Sequence, residues 1–260
     1  MRIITLITDF GHSDAYVGIM KGVILSIAPH VVIVDLCHQV PPQDVRVGAF
    51  TLYQSVPFFP PDAVHVVVVD PGVGSERAAL AVRTDHGMFV APDNGVLGFV
   101  LASIRVQEAV SLTNPDYRLP AASNTFHGRD VFAPAAAHLV NDVPMAQMGS
   151  PAANLVALSV PQPEIISSQR MIGHVIHTDH FGNLLLDVTA DHLGGQATFE
   201  LAGHIIDRLS RTFASGEPGE LVAYVGSTYH HVEIAIRNGN AAQALGVDVG
   251  TPVLIRREGM

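Results

Sequence analysis

An acidic and a basic side chain, Asp70 and Arg77, flank the glycine-rich turn Pro71-Gly72-Val73-Gly74-Ser75. A carboxylate with an arginine seven residues on is a pairing of the kind that active sites use. The plainer reading is a turn-capping aspartate followed by a surface arginine. The run Val64-His65-Val66-Val67-Val68-Val69 reads as a buried strand ending in a Pro-Gly turn. Asp70 then stands at the strand's carboxyl end, where open α/β sheets bind their ligands.

Asn124-Thr125-Phe126-His127-Gly128-Arg129-Asp130 gathers an imidazole, two charges and a glycine ahead of an apolar stretch. Such a cluster at a helix entrance fits a catalytic or anion-binding loop, and Gly128 permits close backbone approach. A capping loop with Asp130 at the helix start is the alternative. Asp9 is a second carboxylate at a strand end. Asp14, five residues on, serves equally as a helix cap. Asp179-His180-Phe181-Gly182-Asn183 suits a planar polar ligand, although a plain turn explains the same residues. Asp9, His38, Asp70 and His127 would together supply carboxylate and imidazole metal ligands, but none of these pairs has the spacing of ligands on one helix. The string Asp9-Phe10-Gly11 lacks the glycine-rich and catalytic loops of a kinase. Gly72-Val73-Gly74 lacks the Gly-Lys-Ser/Thr ending of a phosphate loop.

Strands are expected over residues 2–8, 31–36, 64–69, 80–82 and 88–90, and Met1 to Ile7 reads as the start of the first. Helices are expected after Ser13 or Asp14, carrying Val17, Met20, Val23, Ile24 and Ile27 on one face, and near 45–52 behind Asp44. Pro92-Asp93-Asn94-Gly95 signals a turn before a short helix reaching Leu101. A last helix falls near 131–140, and Pro134 argues that it starts late. This alternation implies an α/β fold with a mainly parallel sheet flanked by helices. After Leu158 the pattern changes to short apolar runs split by glycines, at 171–176, 184–188, 198–201, 221–225, 232–236 and 253–255. These suggest a smaller β-barrel or sandwich. Only Asn240–Leu245, bracketed by Gly239 and Gly246, reads as helical there. The expected organisation is an α/β domain with the catalytic residues at 1–159, a linker at 160–168 and a β-barrel domain at 169–260.

The 260 residues carry a net charge of −10, which disfavours nucleic acid and anionic membranes and is compatible with a cationic small molecule. No apolar run approaches the ~18 residues of a membrane span. No signal-peptide pattern opens the chain, so a cytoplasmic location is expected. The single cysteine, Cys37, excludes an intramolecular disulfide and reads as a structural thiol.

Six strings together resemble one family, the S-adenosyl-L-methionine (SAM) hydroxide adenosyltransferases or SAM hydrolases, relatives of the SAM-dependent fluorinases and chlorinases. They are TDFGHSDAYVG at 8–18, VDPGVGSER at 69–77, APDNG at 91–95, FHGRDVFAPAAA at 126–137, DHFGN at 179–183 and GS at 226–227. The resemblance spans nearly the whole chain. It implies an N-terminal α/β domain, a C-terminal β-barrel and a homotrimer with sites between neighbouring subunits. It implies that Asp70, Arg77 and His127 activate water, that Asp9 holds the ribose hydroxyls, and that Asp14 and Asp179 lie around the methionine end. Asn183 would meet the adenine edge, Ser227 the methionine carboxylate, and backbone near Arg237–Gly239 the adenine. SAM is then substrate, with no cofactor and no metal, and the products are adenosine and L-methionine. Asp187 stands where the family usually has asparagine, and Ala78 where relatives often have a second arginine. Halogenases replace the residue matching Asp70 with tyrosine and carry an extra loop, whereas this chain has Asp70, no evident insertion and no tryptophan, so halide transfer is kept only as the alternative to hydrolysis. A metal-dependent nucleotide phosphohydrolase and a non-catalytic SAM- or adenosine-binding module are the others.

Overall fold

The computed structural model describes residues 2–120, 122–159, 161–227 and 229–258. Met1, at the head of the first expected strand, and Val160, at the head of the expected linker, lie outside them. The chain divides into two compact units, residues 1–159 and 160–260.

The first unit runs β1 (Ile3–Thr8), α1 (Tyr16–Ile27), β2 (Val32–Cys37), α2 (Val45–Ser55), β3 (Val64–Val68), β4 (Ala79–Thr84), β5 (Gly87–Pro92), α3 (Gly98–Ser103), β6 (Val106–Ser111), α4 (Ala133–Val140) and β7 (Ser150–Pro151). The seven strands form one sheet in the order β2-β1-β3-β5-β4-β6-β7. It is parallel from β2 to β5 and antiparallel beyond. The β4–β5 hairpin makes the change, because its short connection forces antiparallel pairing. Every residue of β3 is buried. A parallel strand covered on both faces reads as a continuous apolar run, which is why the valines do not alternate with polar residues. Val64, Val66 and Val68 pack with Met20 and Ile24 of α1 and with α4. On the opposite face Gly48 of α2 approaches Val69 so closely that a Cβ there would stand 2.9 Å from its methyl group.

Helix α2 is capped as expected, Asp44 accepting from the Val47 N–H at 3.0 Å. Helix α1 is not: Ala15 occupies its cap position without a side-chain hydrogen bond, so neither Ser13 nor Asp14 caps it. Ahead of α4 the chain makes a π-helical turn over Gly128–Phe132, in which Ala133 N–H reaches back to Gly128 O. Pro134 explains part of this. It has no N–H to offer Asp130 O, which accepts from Leu119 N instead at 2.9 Å.

The second unit runs β8 (Glu164–Ser167), β9 (Arg170–Thr178), β10 (Leu184–Thr189), α5 (Ala190–Leu193), β11 (Ala197–Leu201), β12 (His204–Ile206), β13 (Leu209–Ser210), β14 (Leu221–Val225), β15 (His231–Ile236), α6 (Ala241–Leu245) and β16 (Pro252–Arg257). The path β12-β11-β16-β9-β10-β15-β14-β13 curls until β12 packs near β14, a nearly closed barrel around Phe199, Leu184, Ile234 and Val253. Strand β8 lies within the segment expected to be a linker and pairs antiparallel with β9. Helix α6 begins at Asn240, whose side chain accepts from Gln243 N–H at 2.7 Å, and ends at Gly246 in the left-handed conformation.

Candidate functional site

In the first unit, the carboxyl ends of β1, β2 and β3 open on a cavity of about 690 Å³. Asp9 and Phe10 follow β1, Pro42 and Gln43 follow β2, Asp70 and Val73 follow β3, and residues 123–129 close the far wall. This is the crevice where parallel strands leave their C-terminal ends for ligands.

Asp70 and Arg77 are one ion pair. Arg77 Nε donates to Asp70 Oδ1 at 2.9 Å and Nη2 donates to Oδ2, a bidentate fork. Both side chains are buried, at 9% and 5% exposure, so water scarcely screens the pair. The same Nη2 meets His127 Nδ1 at 2.8 Å, and the guanidinium rests over the Phe132 ring at 5.4 Å. Arg77 therefore links Asp70 to His127, 57 residues further along the chain, and both of these line the cavity. Burial first, and then the Arg77 charge, hold the His127 pKa below its ordinary 6.5. The imidazole is neutral at neutral pH.

Gly74 lets the loop bearing this pair meet the 123–129 segment. Its φ is +80°, and a Cβ would lie 2.6 Å from Asn124 O. Arg129 and Asp130 form their own pair, with Nε–Oδ1 2.5 Å and Nη2–Oδ2 2.9 Å. Asp130 also accepts from Ser123 N at 2.7 Å, which closes the loop on itself. Burial alone would raise the Asp130 pKa, but these hydrogen bonds outweigh it and lower it.

Asp9 borders the cavity, its Oδ2 accepting from the Gln43 N–H at 2.8 Å. Gln43 holds φ = +68° at this point. Asp14 is exposed and is not among the side chains lining the cavity. His38 turns elsewhere: Nδ1 meets Thr8 Oγ1 at 2.9 Å, and Nε2 lies 3.0 Å from Asp35 Oδ1. The four-residue metal set considered from the sequence is therefore not assembled. Among the described residues, no group of three or more His, Cys, Asp or Glu side chains converges as ligands.

The second unit has its own cavity, about 560 Å³, lined by Phe181, Asn183, Phe213, Tyr224, Asn238 and Gly239. Asp179 shapes its rim rather than its floor. Its Oδ1 accepts from Phe181 N at 2.9 Å and Asn183 N at 2.8 Å, and Oδ2 accepts from Asn183 Nδ2 at 2.9 Å. The Arg237 guanidinium points away to Gly216 O at 2.6 Å, leaving its neighbours Asn238 and Gly239 to form the wall. Ser227 is exposed. Asp187 is buried and holds His174, accepting from its backbone N at 2.7 Å and lying 3.2 Å from its Nδ1.

Sequence reasoning missed the rings of Phe10, Tyr16 and Phe126, which touch with centroids 5.2–5.8 Å apart and line the first cavity. Their only signal was aromatic residues beside the polar motifs. Gln43 gave none, because its role is played by a backbone N–H.

Residues 4–149 match the SAM hydroxide adenosyltransferase N-terminal domain and residues 173–254 its C-terminal domain. An (R)-S-adenosyl-L-methionine hydrolase of Salinispora arenicola is 42% identical over 95% of both chains. A protein of the same name from Thermus thermophilus is 37% identical over 97% of this chain and 99% of that one. A fluorinase of Nocardia brasiliensis is more distant, 29% identical over 86% of this chain and 87% of its own. The crystal structure of an uncharacterized conserved protein from Thermotoga maritima superposes with a TM-score of 0.91 at 34% identity, over 99% of this chain and all of that one.

Proposed function

The chain belongs to the SAM hydroxide adenosyltransferase family, and from that premise we propose how its residues hydrolyse SAM to adenosine and L-methionine. The observation that carries the proposal is that Asp70 and His127 line one cavity and are joined by Arg77, which bonds to both.

Water attacks ribose C5′ in line with the departing sulfur. The C5′–O bond forms, the C5′–S bond breaks, and its electron pair returns to sulfur. Methionine therefore leaves as a neutral thioether and needs no general acid. The proton lost by water is the one demand on the protein. A guanidinium only donates, so at the Arg77 contact His127 Nδ1 accepts and the neutral ring carries its hydrogen on Nε2. Asp70 keeps free lone pairs on an ionised carboxylate, and it is the group that takes the proton. His127 Nε2–H orients the oxygen, and Arg77 holds Asp70 and His127 in place. Positioning of this kind supplies up to ~7–11 kcal/mol of barrier reduction, and a general base a further ~10²–10⁴-fold.

Asp9 holds the ribose hydroxyls through its free Oδ1. The second unit receives the adenine at Phe181, Asn183, Asn238 and Gly239, while Asp14, Asp179 and Ser227 serve the methionine end. The protein works in the cytoplasm as a homotrimer whose neighbouring copies complete each site, without nucleic acid, cofactor or metal. Among the described residues no helix is long and apolar enough to cross a membrane.

Chromatography of a SAM incubation tests the reaction. Adenosine and methionine should appear in equal amounts, with or without a chelator. Release of phosphate from nucleotides, a 5′-halo-nucleoside on adding halide, or binding with no product would each replace this reading with one of its rivals.

A further inference from the structure

The turn Pro92-Asp93-Asn94-Gly95 borders the active loop without lining its cavity. Asp93 N–H donates to Ala78 O at 2.9 Å, directly after Arg77. Asn94 Nδ2 donates to Val69 O at 2.9 Å, directly before Asp70. The two ends of the 70–77 loop are thus tied to two consecutive residues of one turn. Both ends of the Asn94 amide are engaged, because its Oδ1 accepts from Val96 N at 3.1 Å. Its partners, one acceptor and one donor, fix which way round it lies.

The backbone explains the need for a side chain here. Parallel pairing of β3 with β5 runs through Val66 and Val90. Pro92, at the end of β5, has no N–H to extend that ladder. The Asn94 amide supplies the missing donor one step further on. Because the peptide bond is planar, fixing the Val69 carbonyl fixes the plane from which the Asp70 side chain projects.

We propose that Asn94 is a positioning residue for the reaction, acting through Val69 to hold Asp70 in register with Arg77 and His127. The proposal rests on the catalytic reading of those three residues.

The experiment compares Asn94→Ala and Asn94→Asp with the unaltered protein. The second variant keeps the size and the acceptor for Val96, and so preserves the turn if the alanine variant does not fold. Either should lower kcat roughly 10- to 100-fold, as small misplacements of reacting groups do, with KM within about twofold. In an Asp70→Asn background the same substitution should change kcat by less than about twofold, since the group it positions is gone. Imidazole NMR should show His127 of Asn94→Ala titrating at higher pH than before, as Arg77 moves off Nδ1. A raised KM with kcat intact, a full multiplicative loss in the double variant, or an unmoved His127 titration would each overturn the proposal. If the unaltered protein forms no adenosine, the reaction has been misread, and the His127 titration still reports whether Asn94 sets the pair.

Discussion

Arg77 Nη2 stands 2.8 Å from His127 Nδ1 while the same nitrogen and Nε grip Asp70. One guanidinium thus grips a carboxylate and sets the tautomer of an imidazole together. The two candidate proton acceptors are thereby given unequal parts. The ring nitrogen that would act as base is already engaged, and the carboxylate is not exhausted.

Asp70→Asn should lower kcat by roughly 10²–10⁴-fold, the range of a lost general base, with little change in KM. Initial-rate kinetics over a range of SAM concentrations checks this. Loss of affinity with turnover intact would contradict the assignment. Removing one charge of a buried pair can cost about 3–5 kcal/mol. The variant's denaturation midpoint should therefore fall as well, and rates are to be compared below it.

His127 must be neutral to accept from Arg77, and its pKa lies below 6.5. Activity should therefore decline as pH falls through that lowered value and should be flat just above it. His127→Ala should lose most turnover while binding SAM nearly as well. His127→Asn, which retains an acceptor near Arg77, should keep more activity and lose the acid limb. A pH–rate profile of both variants distinguishes this from a ring that serves only packing.

His65 carries the clearest stability signature. It is fully buried on β3, bonded to Thr5 Oγ1 at 2.8 Å and stacked on Phe89. Burial pushes its pKa down to about 4 from 6.5. The folded state thus resists a proton that the unfolded chain accepts. Stability from this residue is intact above pH 6.5 and is lost as pH falls toward 4, by roughly 3 kcal/mol in total. His138 and His231 are lowered by burial too and act in the same direction. Denaturant melts from pH 7 to 4 should show a shallower decline in His65→Phe.

Gly74→Ala should damage the site without touching a reacting group. The new Cβ meets Asn124 O, and φ = +80° disfavours it as well. A strain of about 1–3 kcal/mol is expected, relieved by separation of the 70–77 loop from the 123–129 segment. Turnover should fall with it. A variant as stable and active as the original would show that the two loops need not touch.

Much of the fold was legible where local chemistry decides it. Asp44, Asn240 and Gly246 mark helix ends because caps act on neighbouring backbone groups. The valine run marks β3 because burial on both faces leaves its trace in composition. Non-local choices were hidden. Nothing near Ala79–Thr84 says that it runs antiparallel, since partner strands decide that. Strand β8 was read as linker because its pairing with β9, not its own period, makes it a strand. In the site, Asp70, Arg77 and His127 were visible as residue types beside glycines. Asp179 was ambiguous because one carboxylate serves a turn and a rim alike. Asn94 was visible only as a turn former, for its partner lies 25 residues away.

The π-helical turn at Gly128–Phe132 carries one residue more than an ordinary helix needs. Excising a single residue there would let α4 continue backward with regular winding. Each residue of such winding advances the direction of a side chain by about 100°. The shortened protein would own a tidier helix with its imidazole swung away from Arg77 and the cavity. This irregularity is therefore a setting of angle for the ring that precedes it.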